Sequence, residues 1–514
     1  MLLSLGVWLV VAAHPALALD EAEVKDSVKD LATLVILGGG PVRVDDGLDA
    51  PFQALATGHH VAVLGVAPPA DPGALAARLL SLGALTATEL TLADPTAANA
   101  ADLSGYDSFV LQGDDGAALR AAWAGTAVET ALRGATTVGG VGAGGALLGG
   151  WDYASGAPPL PDVVLADCGD PSTTVDGGFL SLLPGVLVDT AFTQTGGLAR
   201  LLPISRGAGL VGLGVDEGTA VVITTDGWQV HGAGTVSLVR GATAPCASGP
   251  SRVDEASLDV LTEGWAYDPV HDAVSGPGTL RDLPYHRPTA DLTLGNGSEG
   301  VVSLSHIEAL SLYCGTLELW PGSGAFDGLV VPDALDTETL DARLGGGVWA
   351  MVAGPASAGV FLPEGDTATA LAAGGWTISG GSSGLVLLAE GGTTGAERGW
   401  ADPDCENPRL ARAITGIRAA VVPPDGTVAF AGAGVGGKDT GGDTGDDTGG
   451  DTGDDTGAGP DDTGGGAKDD GTCGCAASTG SDPDVPAGPP FAAVLLLALT
   501  GFLRRRGIPV TGGP

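Results

Sequence analysis

Basic residues are scarce in this chain. Lysine occurs four times, at Lys25, Lys29, Lys438 and Lys468, and Lys and Arg together number 22 against 62 Asp and Glu, a formal net charge of −40. Such a chain repels phosphate backbones, and it has no basic patch with interleaved aromatics, so nucleic acid is excluded as a partner. Aromatics make up only 4% of the 514 residues. Cysteine occurs six times without C-x-x-C spacing, which argues against a zinc site, and no metal or other cofactor is expected. No apolar run reaches the roughly 20 residues that a membrane-spanning helix needs. What fills the chain is 88 Gly, abundant alanine and many short apolar runs. Residues 20–435 are long enough for two domains with cores of their own.

The two ends read as targeting segments. Residues 1–18 resemble a secretory signal, with Leu2 to Leu17 largely apolar and Ala16-Leu17-Ala18 as an A-x-A-like cleavage site, although no Lys or Arg precedes the apolar stretch. In residues 473–514, Cys473-Gly474-Cys475 is followed by a Pro-rich spacer, the apolar segment Phe491 to Leu503, and Arg504-Arg505-Arg506. The triple Arg would stay on the cytoplasmic side. This order of parts resembles the myxobacterial-type C-terminal sorting signal, which implies display at the cell surface or outer envelope, or processing after export.

Residues 436–472 read as an acidic stalk. Between 438 and 470 they repeat Asp-Thr-Gly, with 11 Asp against 2 Lys and no aromatic. Such a tract has nothing to bury and extends by self-repulsion. Asp-Thr-Gly is also an aspartic-protease motif, but here it lacks flanking strands. Cys168, Cys246, Cys314 and Cys405 lie in the expected folded part. In an exported chain they suggest two disulfides, with all three connectivities open.

Residues 32–245 alternate strand-like and helix-like segments. Thr33 to Leu37 runs into Gly38-Gly39-Gly40, and Val61 to Val66 is a second apolar run. Phe109 to Leu111 leads to Gln112-Gly113-Asp114-Asp115, and Thr136 to Val141 enters Gly142. This alternation predicts an α/β fold with a mostly parallel sheet flanked by helices. Sites in such sheets gather at the carboxyl ends of the strands. The triple glycine lacks both G-x-G-x-x-G spacing and a P-loop Lys, so it does not read as a nucleotide site.

Gly139-Gly140-Val141-Gly142-Ala143-Gly144-Gly145-Ala146 reads as a nucleophile elbow without a nucleophile. An apolar strand precedes it and a small-residue helix start follows, the context that presents one side chain at a sheet edge. The elbow position is Gly142, which has no side chain.

In this setting the order of segments from Leu34 to about Tyr267 resembles the cyanophycinase and dipeptidase E family of serine peptidases. The residues that carry the resemblance are Leu34 to Gly40, Gln112 to Asp115, Leu119 to Thr126, Gly140 to Gly145, Val188 to Phe192, Gln194 to Arg200 and Leu213 to Ala220. The resemblance implies a class I glutamine amidotransferase-like α/β domain, here over 30–285. It also implies a serine nucleophile at position 142, a histidine base at 191, a glutamine at 115 and an arginine pair at 195 and 197. This chain has Gly142, Ala191, Asp115, Thr195 and Gly197 there, and keeps only the acid, Glu217 beside Asp216. A lone carboxylate does not supply a covalent nucleophile with its matched base.

Three functions follow as expectations. The first is an exported, surface-anchored cyanophycinase-like pseudoenzyme that binds an unknown peptide or surface partner. The second is an active hydrolase with a rearranged acidic site or a metal held by Asp114, Asp115, Asp189 and Glu217. The third is an adhesin-like display protein acting through residues 286–435. If Asp114, Asp115, Asp189, Asp216 and Glu217 converge, they form a ligand-binding acidic face. The structural alternative is that Asp189 and Asp216 hold their loops through backbone amides. His59, His60 and His231 read as packing residues. Residues 286–435 break into short apolar runs split by glycine, which predicts a β-rich region. Its aromatics, Tyr313, Trp320, Trp349, Trp376 and Trp400, serve packing or carbohydrate binding.

Overall fold

The computed structural model describes residues 32–40 and 47–277. Beyond these it describes 281–282, 292–295, 302–304, 319–320, 329–332, 358–362, 366–371, 375–388, 393–400 and 409–430. All of them fall in one compact unit ending at Gly436. The expected signal segment, the Asp-Thr-Gly stalk and the sorting tail with Cys473, Cys475 and Arg504 to Arg506 lie outside the described residues.

A nine-stranded sheet forms the α/β body. Its parallel block runs β3 (Thr86–Thr91), β2 (His60–Gly65), β4 (Ser108–Gly113), β5 (Thr137–Gly142) and β1 (Thr33–Leu37). Beyond β1 the sheet continues antiparallel through β10 (Thr219–Thr224), β11 (Gly227–Gly232), β14 (Ala266–Asp268) and β15 (Ala273–Ser275). The inner strands are short unbroken apolar runs because both faces are covered. On β1 the side chains alternate between two cores. Val35 and Leu37 pack with Phe52 and Leu55 of helix α1 (Asp49–Ala56) and with Leu75 and Leu79 of α2 (Ala74–Ser81). Leu34 and Ile36 face the opposite core.

That second core lies between two sheets. Strands β6 (Gly149–Tyr153), β7 (Val175–Gly177), β8 (Leu183–Thr190), β9 (Val211–Val215), β12 (Val236–Arg240) and β13 (Val253–Leu261) belong to another sheet, ordered β7-β6-β8-β9-β12-β13. Val186, Val188, Leu213 and Leu238 from it join Leu34 and Ile36. Short helices α3 (Pro95–Ala100), α4 (Gly116–Trp123) and α5 (Ala127–Arg133) close the remainder. Within that core Trp123 is fully buried, its indole N–H donating to the Leu92 carbonyl at 2.9 Å. The tiny helix α6 (Ala143–Ala146) follows β5, α7 (Pro161–Ala166) follows β6, and α8 (Leu198–Ala208) covers the outer face of the second sheet.

The second sheet does not end where the α/β sequence pattern ends. β13 pairs antiparallel with strand Arg409–Val422, which pairs with Gly384–Leu388 and then Ala358–Phe361. The boundary expected at 285/286 therefore falls within stretches that share one sheet. The physical reason is edge protection: the open edge of β13 is covered by a strand far along the chain. The β-rich region also holds a small four-stranded sheet, with Trp376 buried in its core beside Ile378 and Val428. That places Trp376 in packing; the side chains of Tyr313, Trp320, Trp349 and Trp400 are outside the described set.

Cys168 and Cys246 form a disulfide with Cα atoms 6.1 Å apart. Cys314 and Cys405 fall outside the described residues. Among the described residues, no helix is long and apolar enough to cross a membrane.

Candidate active site

The parallel register aligns three strand exits at one edge. Leu37 of β1 lies opposite Val141 of β5, and Gly142 lies opposite Gly113 of β4. Gly38 to Gly40, Gly113 to Asp115 and Gly142 thus share the carboxyl edge of the block. Two more loops reach it. The Ala191 N–H donates to the Gly38 carbonyl at 2.9 Å, and the Gly218 N–H donates to the Gly39 carbonyl at 3.1 Å.

The elbow is built as the sequence predicts. Gly142 takes φ 58° and ψ −129° between β5 and α6. Side chains rarely tolerate this region, and strand-to-helix elbows hold their nucleophile there under strain. Glycine adopts it freely. The turn is tight because Gly140 and Gly144 touch: a Cβ on Gly140 would overlap the Gly144 carbonyl. At Gly142 itself a Cβ fits in ordinary contact. A Cβ there would sit 3.4 Å from the Gly113 carbonyl oxygen and 3.9 Å from Asp114 Oδ1. Packing therefore does not forbid a side chain at the elbow. Ala191, at the position of the expected base, carries a left-handed φ of 49° and offers only a methyl group.

The five acids do not form one face. Asp114 is exposed beside the elbow. Glu217 lies on the other side of the glycine loop, where a Cβ on Gly40 would approach its Oε2 to 3.2 Å. Asp115, Asp189 and Asp216 each serve contacts of their own, so the five do not make the common acidic face that was expected. Asp115 caps α4, accepting from the Ala118 N–H at 2.9 Å. Asp189 is fully buried in a two-pronged ion pair with Arg200, 2.7 Å from Nε and 2.9 Å from Nη2, and also accepts from the Tyr153 hydroxyl at 3.0 Å. Burial and the adjacent Asp189 charge push the Tyr153 hydroxyl well above its ordinary pKa, so it stays a donor.

Asp216 is buried and takes four hydrogen bonds: the backbone N–H and hydroxyl of Thr193 at 3.0 and 2.8 Å, and those of Thr235 at 2.9 and 2.7 Å. It ties together the loop after β8, the loop after β9 and the entry to β12. Burial raises its pKa despite these donors. The metal set of Asp114, Asp115, Asp189 and Glu217 is accordingly not assembled. Among the described residues, no group of three or more His, Cys, Asp or Glu is arranged to hold a metal ion.

Of the described histidines, His59, His60 and His231 do not stand at the elbow. His59 precedes β2 and His60 opens it, at the amino edge of the parallel block and opposite the elbow; His59 pairs with Asp107 at 3.2 Å and His60 meets Thr86 Oγ1 at 3.0 Å. His231 pairs with Glu263 at 3.4 Å. It lies on β11, three strands from β5, about 14 Å across the sheet at ordinary strand spacing.

The partners of Asp189 escape sequence reasoning, as does a second network. Arg120 joins Asp152 at 2.9 Å and Asp176 at 3.0 Å, and Asp152 also accepts from the Phe179 N–H at 2.7 Å. Burial pushes Asp152 up to about 6. No local motif marks these residues, because their partners are distant in the chain.

No protein family and no curated protein matches the sequence. A solved structure titled as that of a peptidase from an acI-B1 Actinobacterium is similar at a TM-score of 0.34 and 17% identity, over 46% of this chain and 97% of that one.

Proposed function

We propose that this chain is an exported, surface-anchored pseudoenzyme: a cyanophycinase-like α/β scaffold that has lost its chemistry and serves binding. The observation that carries the reading is Gly142. It keeps the backbone torsions of a nucleophile elbow, where a Cβ would fit in ordinary contact, yet has no group to attack a carbonyl. Ala191 offers no base, and Asp189 and Asp216 are spent on holding the surrounding loops. Loss of nucleophile and base leaves about 10³–10⁴-fold acceleration from donors and binding, far below a working peptidase. Asp114 lies exposed beside the elbow in a chain of net charge −40, so the ligand class that suits it carries a positive charge, such as a basic peptide. Export and envelope attachment belong to the terminal segments.

The test is hydrolysis of β-Asp-Arg polymer and Asp-Xaa dipeptides by the purified protein, beside a variant carrying Gly142→Ser and Ala191→His. The expected result is no turnover by the wild type, with any gain confined to the variant. Wild-type turnover that disappears in Glu217→Gln overturns the proposal and identifies an acid-dependent enzyme. Fractionation of cells expressing the full chain tests location, and a purely cytoplasmic protein contradicts the export reading.

A further inference from the structure

Two arginines six positions apart on α8 are both buried, and only one has a counter-charge. Arg200 presents its Nε and Nη2 edge to both oxygens of Asp189. Arg206, in the last turn of the same helix, is 2% exposed, and among the described residues its Nε and Nη2 have no hydrogen-bond partner. Its remaining nitrogen donates to the Gly241 carbonyl. No carboxylate among the described residues forms a salt bridge with it. The acids that pair with the neighbouring Arg240 are committed to it: Asp259 and Asp272 both bind Arg240, Asp259 also accepts from the Gly416 N–H, and Asp272 from the Tyr267 hydroxyl.

A buried cation without a partner is costly. Arg206 does not escape by losing its proton. Burial, with the neighbouring Arg240 charge, lowers its pKa only to about 10, so it is cationic at neutral pH. The side edge of a guanidinium is a planar two-donor fork that matches the two oxygens of a carboxylate. We infer that Arg206 is an oxyanion site, whose Nε and Nη2 take a small carboxylate from solution in the manner in which Arg200 takes Asp189. The loop that follows β12 lies over this end of α8, through the Ala244 N–H bonded to the Arg206 carbonyl at 2.9 Å. Ala242, Thr243 and Pro245 in that loop are exposed, so the cover is thin. A chain of charge −40 disfavours random anion uptake, so saturable binding here would be specific.

The experiment is chemical unfolding of the full chain in formate and in chloride at equal ionic strength, for wild type, Arg206→Met and Arg206→Lys. At ten times its dissociation constant, formate lowers the wild-type unfolding constant about tenfold. Chloride, a sphere with no pair of oxygens, gives a smaller response. Arg206→Met loses the formate response, and Arg206→Lys, which keeps the charge but not the fork, loses most of it. Equal effects of formate and chloride on the wild type, or an unchanged formate response in Arg206→Met, overturn the inference. If the variants fail to fold, carbon-13 formate titrated into the wild type decides. Saturable binding that chloride does not displace supports the site, and no binding removes it.

Discussion

Gly39 and Gly142 meet across the carboxyl edge of the parallel block: a Cβ on Gly39 would stop 3.3 Å from the Gly142 Cα. The first strand exit is thereby pressed against the elbow. The elbow's shape is fixed by neighbours on β1 and β4, not by the residue that occupies it.

It follows that a side chain at position 142 costs torsional strain but little packing. Gly142→Ala should lower unfolding stability by about 1–3 kcal/mol, the usual penalty for a non-glycine in such a region. Gly142→Ser should cost about the same. Urea unfolding of both variants checks this. A loss well beyond that range would mean that the elbow is held by contacts to the glycine itself.

The buried pair of Asp189 and Arg200 predicts an asymmetry. Asp189→Asn leaves a buried guanidinium short of its counter-charge and should cost about 3–5 kcal/mol. Replacing both residues at once, with Asp189→Leu and Arg200→Met, should cost distinctly less than the two single changes added together. A double-mutant cycle by denaturant titration measures the coupling. Additive single effects would show that the pair does not interact as the 2.7 and 2.9 Å bonds indicate.

The pH dependence has a definite sign. Asp152 is pushed up to about 6 by burial, although Arg120 and the Phe179 N–H pull it the other way. An unfolded aspartate titrates near 3.9. The folded state therefore holds this proton more tightly. Its contribution is fully present below about pH 4 and is lost as pH rises through 6, about 3 kcal/mol in all at 1.36 kcal/mol per pKa unit. Asp216 and Asp259, also raised by burial, act in the same direction. Asp152→Asn should flatten the decline between pH 4 and 6 without abolishing it. Unfolding free energies of wild type and variant across that range are the measurement, and an identical slope in the two would refute the assignment.

The elbow was legible in the sequence because its determinants are local: a short apolar strand, a glycine and a run of small residues. Asp115 carried a signal that its reading as a ligand residue passed over. An Asp followed by Gly116 and an Ala-Leu run is a helix start, and that capping role is the one it takes. That Asp216 holds its loops through backbone amides was the structural alternative, and the Thr193 and Thr235 N–H groups take that part; the side-chain partners of Asp189 and Asp216 were not legible. They include Tyr153, 36 residues away, and Thr235, 19 residues away, and no periodicity reports such pairings. The join between β13 and strand Arg409–Val422 is of the same kind, with Gly416 donating to Asp259 across 157 positions. Glycine spacing marks where strands stop, not which strand lies beside which.

The Cys168–Cys246 disulfide gives the last prediction. It closes a loop spanning 78 positions. Chain-entropy arguments assign a link of that span about 4–5 kcal/mol of stabilisation, exerted on the unfolded chain. The folded loop does not depend on it alone. The Cys168 N–H donates to the Gly249 carbonyl at 2.9 Å, Asp167 accepts from the Gly169 and Gly249 N–H groups at 2.9 and 2.7 Å, and Ser251 donates to the Val164 carbonyl. Cutting the link should therefore leave the native structure in place while lowering the denaturant midpoint. Cys246→Ser should keep the native near-ultraviolet circular dichroism and lose about 2–5 kcal/mol. Loss of the native spectrum in the variant without denaturant would show that the disulfide shapes the folded loop and does not merely restrict the unfolded chain.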